Sequence, residues 1–335
     1  MTSHRRWVER RINSLNPETQ FDEIIRLVSD YRTTSVVMNL IYMVALSGVL
    51  LPKHGQDITA ATGNTVHKAE DRTRGTSDAF FTWFSNGSNS DVTRASIDRL
   101  NKYHGGMAKL FPEAFEPNED WIYATCALGL FSTRARENLG LRPETPAMQT
   151  AWHHFLGNIA SHLRGPHGEI TDYPKDFAAL RRQLEEYENR DWPKLPLGHE
   201  IMTAVVQAFC DRWFPRPFHW FARNLALIIL PKQHRNIHQL PDPNPLASVI
   251  VRRTVQLSSW WSRNFASDPR IPFSVVRTTP EFKARAARQV ERMQRLTEAR
   301  IRSGKIKVPP PPDGGVSKQQ ILGEGVGITA VGQGA

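Results

Sequence analysis

Arg72, Thr76 and His104 are the side chains whose types and spacing offer chemistry in this sequence. Arg72, Thr76, Phe80 and Trp83 recur at i, i+4, i+8 and i+11, so they share one face of a helix running to Phe84. A polar turn, Ser85–Asn89, leads to a second helix that ends Asn101-Lys102-Tyr103-His104-Gly105-Gly106. Ile97, Leu100, His104 and Met107 fall on its inward stripe. A cation, a hydroxyl and an imidazole on inward faces of consecutive helices make a candidate ligand site. Each has a plainer rival. A lone inward histidine is more often a core residue with a satisfied hydrogen bond. A buried guanidinium needs a carboxylate, a carbonyl or an anionic ligand group, and neither Glu70 nor Asp71 lies on the face of Arg72. Gly105 and Gly106 let a flat ligand, or another stretch of backbone, come close.

The surrounding pattern is helical almost throughout, with little two-residue alternation and no internal repeat. Asn16-Pro17-Glu18 reads as a helix start, followed by Phe21, Ile24, Ile25 and Val28 as an apolar stripe. A buried helix covers Val36–Leu51, and Asp57 caps a short one that Gly63 closes. The pair Arg72–Phe84 and Asp91–His104 comes next, then helices from Asn118 to Gly140 and from Thr145-Pro146 onward. A break at Gly165–Tyr173 precedes a polar, surface-type helix, Pro174–Glu188. His199–Trp213, Pro217–Leu230, Leu246–Arg263 and a basic helix, Pro280–Arg302, complete the set. The expectation is an all-α fold: one large globular domain of roughly ten helices over residues 16–303. A basic segment, 1–15, precedes it. A tail, 304–335, rich in Pro and Gly from Pro309, is expected to be disordered because it has too little apolar surface to offset ordering.

The chain has 335 residues and a formal charge of +10. The excess gathers at Arg5, Arg6, Arg10 and Arg11 and along the helix after Pro280. That distribution suits a solvated face or a peripheral contact with an anionic membrane; no nucleic-acid signature accompanies it. The two cysteines, Cys126 and Cys210, lie in helical patterns without metal spacing and read as buried free thiols of a reducing, cytoplasmic setting. The basic N-terminus lacks the apolar core of a signal peptide, and the run Val36–Leu51 is short for a membrane span. Twelve histidines form no His-x-x-x-His or Glu-x-x-His pair with an acidic partner, which argues against a zinc or di-iron site. Gly-x-Gly-x-x-Gly, P-loop and Gly-x-Ser-x-Gly motifs are missing too.

The order Arg72-x-x-x-Thr76, then His104 at the end of the next helix, resembles the rubber oxygenase (latex-clearing protein) and MpaB-like oxygenase family. So do Trp121-Ile122-Tyr123-Ala124-Thr125, Trp152 to Gly157, and Leu225–Pro231 followed by Lys232-Gln233-His234-Arg235. The resemblance spans roughly residues 20 to 240, and order and spacing carry it. It implies an all-helical protein enclosing an apolar pocket for heme b, with His104 as the proximal iron ligand and Arg72 and Thr76 beside the heme. Phe80 and Trp83 would help line the pocket. The partners implied are an apolar small molecule, isoprenoid-like or a secondary metabolite, and dioxygen, with oxidative cleavage of a carbon–carbon double bond as the reaction. Where the rubber oxygenases carry a lysine before the threonine this chain has Gly75. Upstream, where they keep a catalytic glutamate, it has Gln56 and Asp57.

Overall fold

The structure, a computed structural model, describes residues 6–308 and residue 321. Among them are sixteen α-helices, two 3-10 turns and one two-residue hairpin. The helices are α1 Trp7–Asn13, α2 Phe21–Arg32, α3 Ser35–Val49, α4 Lys53–Thr62, α5 Asn64–His67, α6 Ala69–Asn86, α7 Asp91–Leu110 and α8 Asn118–Leu139. After α9, Pro146–His162, the strands β1 Arg164–Gly165 and β2 Gly168–Glu169 pair antiparallel. Then come α10 Phe177–Glu188, α11 Pro196–Trp213, α12 His219–Ile229, α13 Lys232–Ile237, α14 Pro245–Asn264, α15 Phe273–Val276 and α16 Pro280–Arg302. The fold is all-α, as the periodicity requires. The helix count exceeds the expected ten mainly because α1, α5, α13 and α15 are short pieces whose periodicity is too brief to stand out.

Helix α3 is apolar on nearly every side and forms the centre. It packs against α8, α6, α11 and α12, burying Met38, Met43 and Tyr42. Helix α8 is the second axis, touching α3, α9, α10 and α12. Side chains such as Phe155 and Phe209, sealed between these helices, each contribute about 1.5–3 kcal/mol by leaving water. Cys126 and Cys210 are buried free thiols. Among the described residues no single helix is long and apolar enough to cross a membrane; α2 and α3 together have the length and composition but meet at a bend of 117°.

Several boundaries differ from the sequence reading. The stretch Asn16–Gln20 is a turn, in which the Asn16 side chain accepts from the Glu18 N–H, so the helix begins only at Phe21. Asp57 is not a cap but lies inside α4, paired with Lys53, while Gly63 does close that helix at φ +64°. Helix α7 runs on through Gly105-Gly106 to Leu110. Two glycines cost a helix about 1 kcal/mol each, a penalty outweighed here by the packing of Met107. Helix α10 is amphipathic: Leu180, Leu184, Tyr187 and Glu188 are buried, while Ala178, Arg182 and Glu186 are exposed on its outer face. Within the basic N-terminal segment, Val8 is buried and its N–H donates to Asp268. Of the stretch read as a disordered tail, only Gly304–Val308 and Ile321 are among the described residues; Val308 and Ile321 are buried, and the remainder lies outside them.

Candidate functional site

Helices α6 and α7 form an antiparallel hairpin whose register follows from its turn. Gly87, at φ +89°, brings the chain round against Asp22, whose carboxylate accepts from the Ser88 N–H at 2.8 Å and hydroxyl at 2.7 Å. The Ser90 hydroxyl caps α7 by accepting from the Thr93 N–H. Across the pair, the Trp83 indole N–H donates to the Ser96 hydroxyl at 3.1 Å. Thr76 lies seven residues back along α6, about 10 Å, and His104 eight residues forward along α7, about 12 Å, so the two stand at similar heights on the hairpin.

At that level three polar groups lack protein partners. Thr76 Oγ1 and His104 Nδ1 are buried without a hydrogen bond. Arg72, one turn before Thr76, makes no ion pair among the described residues, because the nearby acids are committed elsewhere. Glu70 pairs with Arg212, Asp71 with Arg74 at 3.5 Å and Asp78 with Arg277. The plainer rival for Arg72, an ion pair with an acid close to it, is therefore not realised, although the guanidinium reaches solvent rather than being buried.

Aromatic rings wall in the imidazole. Trp121 meets His104 edge-on at 5.2 Å between centroids, Phe115 lies at 5.3 Å, and the Trp121 N–H is tied to the Phe115 carbonyl at 2.9 Å. Burial, and secondly the charge of Arg72, push the His104 pKa down to about 3. The ring is therefore neutral near pH 7, the form with a nitrogen lone pair to give a metal.

Phe80 and Trp83 are buried, but they belong to a core cluster: Phe80 stacks on Phe84, which meets Trp152 and Phe155. Trp83 lies about 10 Å along α6 from Thr76. The closer aromatic neighbours of His104 are Phe115, Trp121 and Tyr103, of which Trp121 and Tyr103 stand in stretches singled out from the sequence and Phe115 does not. Phe115 sits between helices, where periodicity carries no signal. The two glycines after His104 differ. Gly105 faces open space, whereas a Cβ on Gly106 would lie 1.7 Å from the Ile321 carbonyl oxygen. Another stretch of backbone, not a flat ligand, uses the room at Gly106. A small crevice of about 10 Å³, room for about one water, lies on a neighbouring face of α6, lined by Tyr42, Thr65, Ala69, Thr73 and Arg212 among others.

A second polar group, invisible as a unit in the sequence, lies between α3, α8, α10 and α13. The Ser47 hydroxyl donates to the Val44 carbonyl at 2.7 Å and lies 2.7 Å from His234 Nδ1, so the ring N–H donates to it. His234 Nε2 lies 3.1 Å from the Tyr123 hydroxyl and 3.2 Å from Glu188, which also accepts from Arg134 at 2.6 Å. Gly48 makes room for Tyr123, since a Cβ there would stand 2.2 Å from its hydroxyl. Burial tends to raise the Glu188 pKa, but the hydrogen bond and charge of His234 and the charge of Arg134 bring it down to about 2. Ser, His and Glu together suggest a nucleophile triad, but the hydroxyl proton is spent on a backbone carbonyl and Ser47 is sealed from solvent. The group is a clamp.

The basic turn after Pro231 is also structural: Arg235 caps the end of α12 by donating to the carbonyls of Leu227 and Leu230. Among the described residues no three His, Cys, Asp or Glu side chains gather as a metal site, a test that a single-histidine heme ligand does not meet. No protein-family model matches this chain, and no curated protein matches it either.

Proposed function

We propose that the Arg72, Thr76 and His104 wall binds heme b and that the protein is a heme-dependent oxygenase of apolar substrates. One observation carries this reading: Thr76 Oγ1 and His104 Nδ1, two buried polar atoms on the two arms of one helical hairpin, lack protein partners. Buried polar groups left unsatisfied cost about 1–3 kcal/mol each, so a site that keeps them is suited to a ligand that supplies the partners. The residues fit heme b: a neutral imidazole for the iron, a cation for a propionate, and a hydroxyl donor.

In this reading His104 would hold the iron through its unprotonated nitrogen, its neutral state maintained by burial and by Arg72. Arg72 binds and orients an anionic group at the rim, where its guanidinium reaches solvent. Thr76 donates a hydrogen bond to a polar atom of the ligand. Phe115 and Trp121 exclude water from the face of the imidazole and provide the apolar surroundings that a hydrocarbon substrate requires. When bound, the heme would supply the dioxygen chemistry, which the family resemblance extends to cleavage of a carbon–carbon double bond.

One observation favours a second reading, in which the fold has changed or lost heme chemistry or serves as a non-catalytic lipid- or partner-binding protein: the Ile321 backbone lies against Gly106, two residues from His104. The visible spectrum of protein produced with ample heme separates the two. A Soret band that His104→Ala abolishes, with helical circular dichroism retained, is the result expected. Wild-type protein with no Soret absorption under those conditions overturns the heme reading.

A further inference from the structure

The basic helix α16 is the sequence's candidate for a membrane contact, and its apolar stripe is already used. Phe282, Ala286, Val290, Met293 and Leu296 are turned toward the domain, with none of them fully exposed. Arg292 donates to the carbonyls of Asp211 and Arg212, and Arg300 pairs with Asp211. The opposite arrangement holds in α14. Its inward side is made of Ser248 and Val251, with Arg252 and Gln256 donating to the backbone at the end of α8. Its outward side is the more apolar one: Leu246, Val249, Ile250, Leu257, Trp260 and Trp261 all face solvent, Leu246 at 80% and Leu257 at 65% of full exposure. With Phe265, which meets Trp260 edge-on at 5.4 Å and Trp261 at a tilt at 4.6 Å, these are seven of the fourteen large apolar side chains exposed among the described residues. Such concentration on one helix marks an interaction surface rather than scattered surface apolarity.

Its charge selects the occupant. From Pro245 to Ile271 the cations are Arg252, Arg253, Arg263 and Arg270, and the one acid, Asp268, is buried and paired with Arg32 at 2.7 Å. Arg253 stands in the middle of the apolar stripe and is exposed. A second copy docked face to face would bring cation against cation, whereas anionic head groups complement them. Leucine, isoleucine and valine along a helix, with two tryptophans at one end and arginine between, match a helix lying in the plane of a bilayer interface. We infer that α14 is a peripheral membrane-docking helix that seats the protein on anionic lipid. The inference is independent of any cofactor at His104.

Flotation of the purified full-length protein with vesicles of phosphatidylcholine alone, or mixed with phosphatidylserine, tests it at low and at physiological salt. Wild type should float with the anionic vesicles and keep part of that binding at physiological salt, because apolar insertion is not screened. Trp260→Gln/Trp261→Gln should reduce partitioning roughly tenfold or more, as should Leu246→Ser/Ile250→Ser, made as a second pair in case either one perturbs folding. Arg285→Gln/Arg288→Gln on α16 should bind nearly as wild type. Wild type that stays unbound in both salts, binding untouched by both α14 pairs, or a wild-type dimer that those pairs dissociate in light scattering would each overturn the inference.

Discussion

The two polar groups buried in this helical core are finished in different ways. Around His234, Ser47, Tyr123, Glu188 and Arg134 each find a partner within the set, and both ring nitrogens are used. Around His104, Thr76 Oγ1 and the imidazole Nδ1 find none, and Arg72 is left without an acid. Each group has one histidine on a helix, but burial differs: Ser47, Tyr123, Glu188 and His234 are all buried, whereas Thr76 and His104 are half-buried and Arg72 is exposed. The two groups differ in the satisfaction of their hydrogen bonds, although eight other buried polar atoms among the described residues, Gln56 Oε1 and His238 Nδ1 included, also lack a partner. A closed network returns its desolvation cost as rigidity between elements far apart in sequence, whereas an open one leaves that cost unreturned within the protein.

The largest expected effect falls on the closed network. Glu188→Gln leaves Arg134 and His234 without their carboxylate, and removing one partner of a buried ion pair costs about 3 kcal/mol. Denaturant unfolding at pH 7 reads this as a lowered midpoint. His104→Leu, by contrast, removes no hydrogen bond made within the protein and should change the stability of the heme-free chain by about 1 kcal/mol or less. Equal losses in the two variants would erase the distinction between the regions.

Acid titration sharpens it, because the two regions respond in different pH windows. Glu188, at about 2, lies below the ordinary carboxylate value near 4.3. The unfolded chain binds that proton first, so the stability Glu188 contributes is present above about pH 4.3 and is lost as pH falls toward 2. His104, at about 3 instead of 6.5, also binds its proton first in the unfolded chain, so it drains stability as pH falls from about 6.5 toward 3. Unfolding free energies of wild type and variants between pH 3 and 7, the bounds set by these two shifts, should show His104→Leu flattening the slope above about pH 4.5. His238, held down to about 4 by burial, keeps part of that slope. Glu188→Gln should flatten the curve only below that point.

The open site was far more legible in the sequence than the closed one. Arg72, Thr76 and His104 lie within one hairpin, where helical spacing alone places them on facing sides. Ser47, Tyr123, Glu188 and His234 come from four helices, and nothing local links them. Helix starts with proline at the first position and a hydroxyl before it, Thr145-Pro146 and Thr279-Pro280, fell where the sequence put them, because the cap is a local device. The aromatic collar missed Phe115, which sits in a connection, and gave weight to Phe80 and Trp83, whose apolar face is spent on the core. The outward apolar face of α14 escaped because a helical stripe in a sequence says that one side is apolar, not that anything covers it.

The smallest effect discriminates the two glycines beside His104. Both lie inside α7, where alanine is favoured over glycine by about 1 kcal/mol. At Gly105 a Cβ meets nothing within 4 Å, so Gly105→Ala should raise stability by up to about that amount. At Gly106 the same Cβ falls 1.7 Å from the Ile321 carbonyl oxygen, and the contact is with backbone, which cannot swing aside as a side chain would. Displacing Ile321 exposes a side chain whose burial contributes about 1.5–3 kcal/mol, more than the helix gains, so Gly106→Ala should lower stability by about 1 kcal/mol. Thermal melts of the two single variants and of Gly106→Ala with Ile321→Ala decide this. If the loss comes from Ile321, the double variant should be no less stable than Ile321→Ala alone. A Soret band that survives Gly106→Ala would further assign this face of α7 to the packing of Ile321 and leave the Thr76 side to the ligand.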